Sequence, residues 1–157
     1  MIIIETLNQL NFARAYTFSR LEKSLESAWD TQPNGFNNTI RWNAGHIFVS
    51  METFVQKAVS GFEAVNPGWI PLFTTGSSPE GWTWEAPSNE EILKALQEQP
   101  ARIVEALGGK LSNSLDEPMA IGKMIALETV ESIIQFAVWH EGFHAGIIDS
   151  LNRVVEK

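Results

Sequence analysis

Four stretches of this chain carry apolar residues at helical spacing, and no stretch reads as a clear sheet. Between Ile3 and Ser27, the residues Leu7, Leu10, Phe12, Ala15, Phe18, Leu21 and Leu25 recur mostly at three- and four-residue steps, the period of a helix with one buried face. The turn formers of Asp30-Thr31-Gln32-Pro33-Asn34-Gly35 end it. A second helix starts after Asn37 or Asn38, either of which suits a cap, and runs to Ser60 before Gly61, with Ile40, Ile47, Met51, Phe54 and Ala58 as its stripe. Ser88 and Glu91 form a capping box that opens a third helix ending before Gly108-Gly109, and after a second loop the last helix spans Thr129 to Val155. Residues 61–87 hold Trp69, Trp82 and Trp84 among several prolines and glycines, so this long connection is expected to pack across the bundle rather than dangle. A connection of that length can return the chain along the bundle. The expected fold class is therefore all-α, a four-helix bundle in up-down-down-up order with a long aromatic-rich crossover between the second and third helices.

At 157 residues the chain fits one domain, residues 1–157, with one core. Its 19 acidic residues outweigh 11 basic ones, and the net charge of −8 repels phosphate backbones and anionic lipids. Neither nucleic acid nor membrane is expected as a partner. There is no cysteine, which excludes disulfides, thiolate metal sites and a thiol nucleophile carried by the protein. The Met1-Ile2-Ile3-Ile4-Glu5 start lacks the basic region and the apolar length of a signal peptide, and no stretch reaches the length of a membrane span. A cytoplasmic protein is expected.

The chain has three histidines, each in an expected helix. At about 100° per residue, His144 lies about 40° around the last helix from His140, and Ile133, Phe136, Ala137, Ile147 and Leu151 share that face. Two imidazoles on adjacent turns of a buried stripe cost free energy unless their nitrogens find partners, either neighbouring hydrogen-bonding groups or one shared metal ion. Spacing i,i+4 suits the ion, since both rings can reach it. His46, on the second helix, shares a mixed face with Trp42, Asn43, Val49, Ser50 and Thr53. That face offers a third ligand, with Asn43 and Ser50 as candidates to orient the rings. His46, His140 and His144 are thus the candidate metal ligands. The string His140-Glu141-Gly142-Phe143-His144 also matches the zinc-peptidase pattern H-E-x-x-H, in which the Glu is the base. Peptidase chemistry is not expected, because only 13 residues follow His144 and none supplies the third ligand. Glu141 borders the same face and is retained as a candidate catalytic base or orienting group.

Three segments in order carry a family likeness: Trp42-Asn43-Ala44-Gly45-His46-Ile47, then Leu72-Phe73 followed by Gly76-Ser77-Ser78-Pro79, and His140-Glu141-Gly142-Phe143-His144-Ala145-Gly146 in the last helix. Over nearly the whole length the chain resembles the DinB-like superfamily, especially its YfiT-like members. The resemblance implies an up-down-down-up four-helix bundle, commonly homodimeric, with one divalent metal, often nickel or zinc, on three histidines at positions matching His46, His140 and His144. It also implies, for some relatives, a metal-dependent transferase or isomerase that uses a low-molecular-weight thiol such as bacillithiol or mycothiol. Ile147 departs from the pattern, standing where relatives often carry Gln.

Three neutral imidazoles leave at least one coordination position free, as catalytic sites require. A metal-bound thiol would be the nucleophile of an S-transferase acting on a small electrophile held by aromatic walls such as Trp42, Trp139 and Phe143. A metal-bound water would instead make a hydrolase. A third alternative is a bundle that the metal only stabilises.

Overall fold

The computed structural model describes residues 3–155. Helix α1 (Ile3–Glu22) ends earlier than its apolar period suggests. The chain then makes a single 3-10 turn at Glu26–Ala28, which drives Ala28 and Trp29 into the core and leaves Leu25 exposed. Phe12 is exposed too, because the core face of α1 is Leu10, Arg14, Thr17 and Leu21. Two polar residues sit there, so an apolar period traced through Phe12 and Leu25 follows a different face.

Helix α2 (Ile40–Ala58) is capped by Thr39, whose hydroxyl accepts from the Trp42 N–H at 3.1 Å. Neither Asn37 nor Asn38 is the cap. Asn38 instead accepts from the Asn43 side chain at 2.7 Å, so α2 starts two residues or one later than the asparagines suggest. The crossover does pack across the bundle. It holds 3-10 turns at Pro67–Trp69 and Pro79–Gly81 around a short helix α3 (Ile70–Phe73). Its rings interlock, with Trp69 against Phe48 and Phe73, and Phe73 against Trp82.

Helix α4 (Asn89–Leu107) opens with the expected box, in which Ser88 accepts from the Glu91 N–H and the Glu91 carboxylate accepts from the Ser88 N–H. The stretch read as a second loop is an antiparallel hairpin, β1 (Ser114–Ile121) and β2 (Ile125–Thr129). Only Leu127 in it is fully buried, and the half-buried alternation of Leu115, Met119 and Ile121 is broken at Glu117, where the register shifts between Ser114 and Met119, so the two-residue period that reveals a strand is short and shallow. Helix α5 (Val130–Val155) follows, opened by reciprocal bonds between Thr129 and Ser132. Among the described residues the architecture is thus mostly helical, with five α-helices and a small hairpin, rather than four helices alone.

Contacts give the helix directions. Thr6 meets Glu131, Arg14 meets Glu141 and Arg20 meets Asp149, so α1 and α5 run parallel. Asn43 meets His144 and Phe54 meets Phe136, so α2 opposes α5. Arg41 meets Pro87 and Glu52 meets Arg102, so α4 follows α2. The apolar core forms two clusters, one around Trp29, Phe48, Phe73 and Leu96, the other around Leu10, Val55, Ile103 and Ile134. Between them lies a layer of buried polar side chains, Arg14, Glu52, Gln99 and Glu141, one from each long helix.

Candidate metal centre

His46 reaches its position through two features of α2. Gly45 precedes it, and a Cβ there would lie 2.5 Å from the Phe73 ring, so only glycine lets α3 cross this closely. With Phe73 so placed, its carbonyl accepts from the His46 Nδ1–H at 2.7 Å. One turn earlier, Trp42 stacks on the His46 ring at 4.5 Å and 13°, and its indole N–H donates to Ser77 at 2.9 Å. The ring is therefore held on its face and at one nitrogen. The other nitrogen, Nε2, stays available.

His144 is held in a comparable way by Asn43. The Asn43 amide nitrogen donates to Asn38 Oδ1 at 2.7 Å and to the Thr39 carbonyl at 2.9 Å. With both donors directed there, Asn43 Oδ1 is the acceptor that faces His144 Nδ1 at 2.9 Å. His144 must donate from Nδ1, which leaves its Nε2 unprotonated when the ring is neutral. His140, one turn before on α5, packs edge-on to Phe54 at 5.5 Å and brings its Nε2 to 3.1 Å from that of His46.

A ring nitrogen from each of the three histidines lies within 4.8 Å of the other two. Burial, foremost, holds His46 below the ordinary imidazole range, opposed by its bond to the Phe73 carbonyl. Burial and then the neighbouring His46 push His140 down to about 4. Burial, then His46 and His140, push His144 down to about 3. All three rings are accordingly neutral near pH 7, the form that ligates metals. Two imidazoles bonded to one ion at about 2.0–2.1 Å lie about 3 Å apart when their bonds meet near a right angle, and the 3.1 Å between His46 and His140 fits that. The donor set suits a divalent ion, with no protein carboxylate among the grouped ligands.

A profile of the DinB superfamily matches residues 9–148. The chain belongs to the DinB superfamily. No curated protein matches it. The segments that carry the resemblance have local roles in this chain: Asn43 holds His144, Gly45 lets Phe73 pack against α2, and the Leu72-Phe73 segment supplies the carbonyl that orients His46.

Not every expected residue joins the cluster of this DinB-superfamily chain. Glu141 does not. Its carboxylate accepts from Arg14 Nε at 2.7 Å and from Arg14 Nη2 at 3.2 Å, and its residue is 1% exposed. A step of one residue around α5 turns it from the α2 side, where His140 points, toward α1 and α4. Glu141 is therefore bonded to Arg14 on the α1 side and is not grouped with the histidine nitrogens. Ser50 lies 3.4 and 3.5 Å from the two His46 ring nitrogens, too long for a firm bond, and the Phe73 carbonyl does the orienting. That partner was not legible from the sequence, because a backbone carbonyl belongs to every residue. Ile147 packs against the first apolar cluster. Trp139 and Phe143 stack on one another at the surface, 61% and 55% exposed, with Phe143 edge-on to His144 at 5.2 Å.

Proposed function

We propose that this chain is a metal-dependent enzyme in which His46, His140 and His144 hold one divalent ion, nickel or zinc, and that it joins a low-molecular-weight thiol of the bacillithiol or mycothiol type to a small electrophile. The observation that carries the metal site is the convergence of three neutral ring nitrogens from two helices within 4.8 Å. An ion held there supplies positive charge that favours thiolate over thiol at an open coordination position.

The chain's own residues do the rest. Phe73 and Asn43 hold the Nδ1–H of His46 and His144, which keeps each Nε2 lone pair in place. Trp42 shields the His46 face from water. Trp139 and Phe143 offer an apolar, uncharged approach for the electrophile. No cysteine is present to act as the nucleophile, so sulfur must arrive on a cosubstrate. Its carbon–sulfur bond forms as the leaving group departs, and the thiol proton goes to solvent. No helix among the described residues is long and apolar enough to cross a membrane, and the superfamily resemblance supports a homodimer acting on a small molecule.

The test is elemental analysis of the purified protein beside a His144→Ala variant. About one equivalent of metal is expected in the first and a large loss in the second. Equal content in both removes the metal centre. Thiol consumption against a panel of electrophiles then examines the reaction: ester turnover without added thiol would make the protein a hydrolase, and silence in both assays would leave a metal-stabilised bundle.

A further inference from the structure

The peptidase-like string His140-Glu141-Gly142-Phe143-His144 places a carboxylate between two ligand candidates, yet that carboxylate faces away from them. Glu141 receives two bonds from Arg14. The same Arg14 guanidinium donates to the Leu96 carbonyl at 2.8 Å and to Gln99 Oε1 at 2.8 Å. Gln99 in turn donates to the Phe48 carbonyl at 2.9 Å and to Glu52 at 2.8 Å. One continuous relay thus crosses the core from α5 through α1 and α4 to α2. Arg14, Gln99, Glu52 and Glu141 are each at most 5% exposed, and they form the polar layer between the two apolar clusters.

Burying such a network rarely favours stability over a well-packed apolar replacement, and its best-attested use is to specify a register. A register is what the histidines need. Glu141 lies about 100° around α5 from His140, and Glu52 about 120° around α2 from His46. If a helix rolled by about 20°, a ring nitrogen about 7 Å from its axis would move by about 2.5 Å. Metal–ligand distances tolerate about 0.2 Å. Apolar packing is non-directional and does not set azimuth to that tolerance, whereas a forked guanidinium bonded on three sides does.

We infer, on the basis of the histidine metal centre proposed above, that the Glu141–Arg14–Gln99–Glu52 relay sets the rotational register of α5 against α2, and that Arg14 is the positioning residue for the histidine cluster. Arg14 touches no ligand. It acts through Glu141 on α5 and through Gln99 on α2.

The experiment separates register from stability. The double variant Arg14→Met with Glu141→Leu replaces the ion pair by apolar side chains of similar length, and Arg14→Lys keeps the charge while losing the fork. Both are compared with wild type by urea denaturation, by nickel and zinc affinity against a chromophoric chelator, and by imidazole nitrogen NMR of the metal-free protein. The double variant also leaves the Leu96 carbonyl and Gln99 Oε1 without their Arg14 donor, so it is expected to unfold at a lower urea concentration, and under conditions where it is folded to bind metal at least about tenfold more weakly. Arg14→Lys is expected to weaken binding in the same direction. Affinity within about twofold of wild type in either folded variant overturns the inference. If the double variant does not fold, Arg14→Lys alone decides. If wild type itself takes up no metal, the metal centre fails instead, and the NMR decides the register: loss of the bonded His144 Nδ1–H signal in the variants supports it, and an unchanged spectrum overturns it.

Discussion

Asn43 Oδ1 accepts the Nδ1–H of His144 at 2.9 Å, because both amide protons of Asn43 are already committed to Asn38 and Thr39. A residue on α2 thereby selects the tautomer of a ring on α5. Asn43→Leu removes the acceptor and leaves the His144 donor buried without a partner. Metal affinity is expected to fall by about 10–100-fold, measured by competition with a chelator, while Asn43→Asp, which keeps an acceptor, is expected to retain more of it. Equal affinity in Asn43→Leu and wild type would show that the bond has no bearing on the site.

Gly45→Ala places a methyl group where the Phe73 ring now lies, 2.5 Å away. The ring and the α3 backbone must shift, and the carbonyl that holds His46 shifts with them. A loss of about 1–3 kcal/mol is expected from the overpacking, read by chemical denaturation, together with weaker metal binding. Gly142→Ala is the control: its added Cβ meets nothing within 4 Å, and it should be neutral or mildly stabilising.

Acid should destabilise the metal-free protein in a defined window. His140 and His144 sit at about 4 and about 3 in the folded chain, below the unfolded value of 6.5. Between those values the unfolded state binds more protons, so stability falls as pH falls. It is fully present above about pH 6.5 and declines progressively toward pH 3–4, by about 1.4 kcal/mol for each unit that separates folded from unfolded pKa. Thermal unfolding from pH 7.5 to 4.5 checks this, and the His144→Gln variant should show a shallower decline.

Metal removal should lower the melting temperature. An ion that binds only the folded chain stabilises it by about 2.7 kcal/mol at a free concentration a hundredfold above its dissociation constant. Chelation is expected to reverse this in wild type and to change nothing in a His46→Ala and His140→Ala double variant. A melting temperature insensitive to chelator in wild-type protein carrying one equivalent of metal would contradict the coupling.

Local features were legible where one face or one cap dominates. The Ser88–Glu91 box and the α5 stripe announce themselves, since each depends on residues three or four apart on a single helix. The α1 face misled because Arg14 and Thr17 occupy core positions that an apolar period skips, while Phe12 and Leu25 lie outside. The hairpin hid because its alternation is shallow, with Leu127 alone fully buried, and is interrupted at Glu117.

By itself the sequence determined that His140 and His144 share a helix face and that His46 lies on another helix, because helical geometry follows from chain order alone. Only the tertiary structure decided that the ring nitrogens meet, that Phe73 offers a carbonyl, and that Glu141 turns to Arg14 instead. Those contacts join residues from 27 to 127 positions apart. Their partners are chosen by how helices pack and roll against one another, which no local pattern of residues encodes.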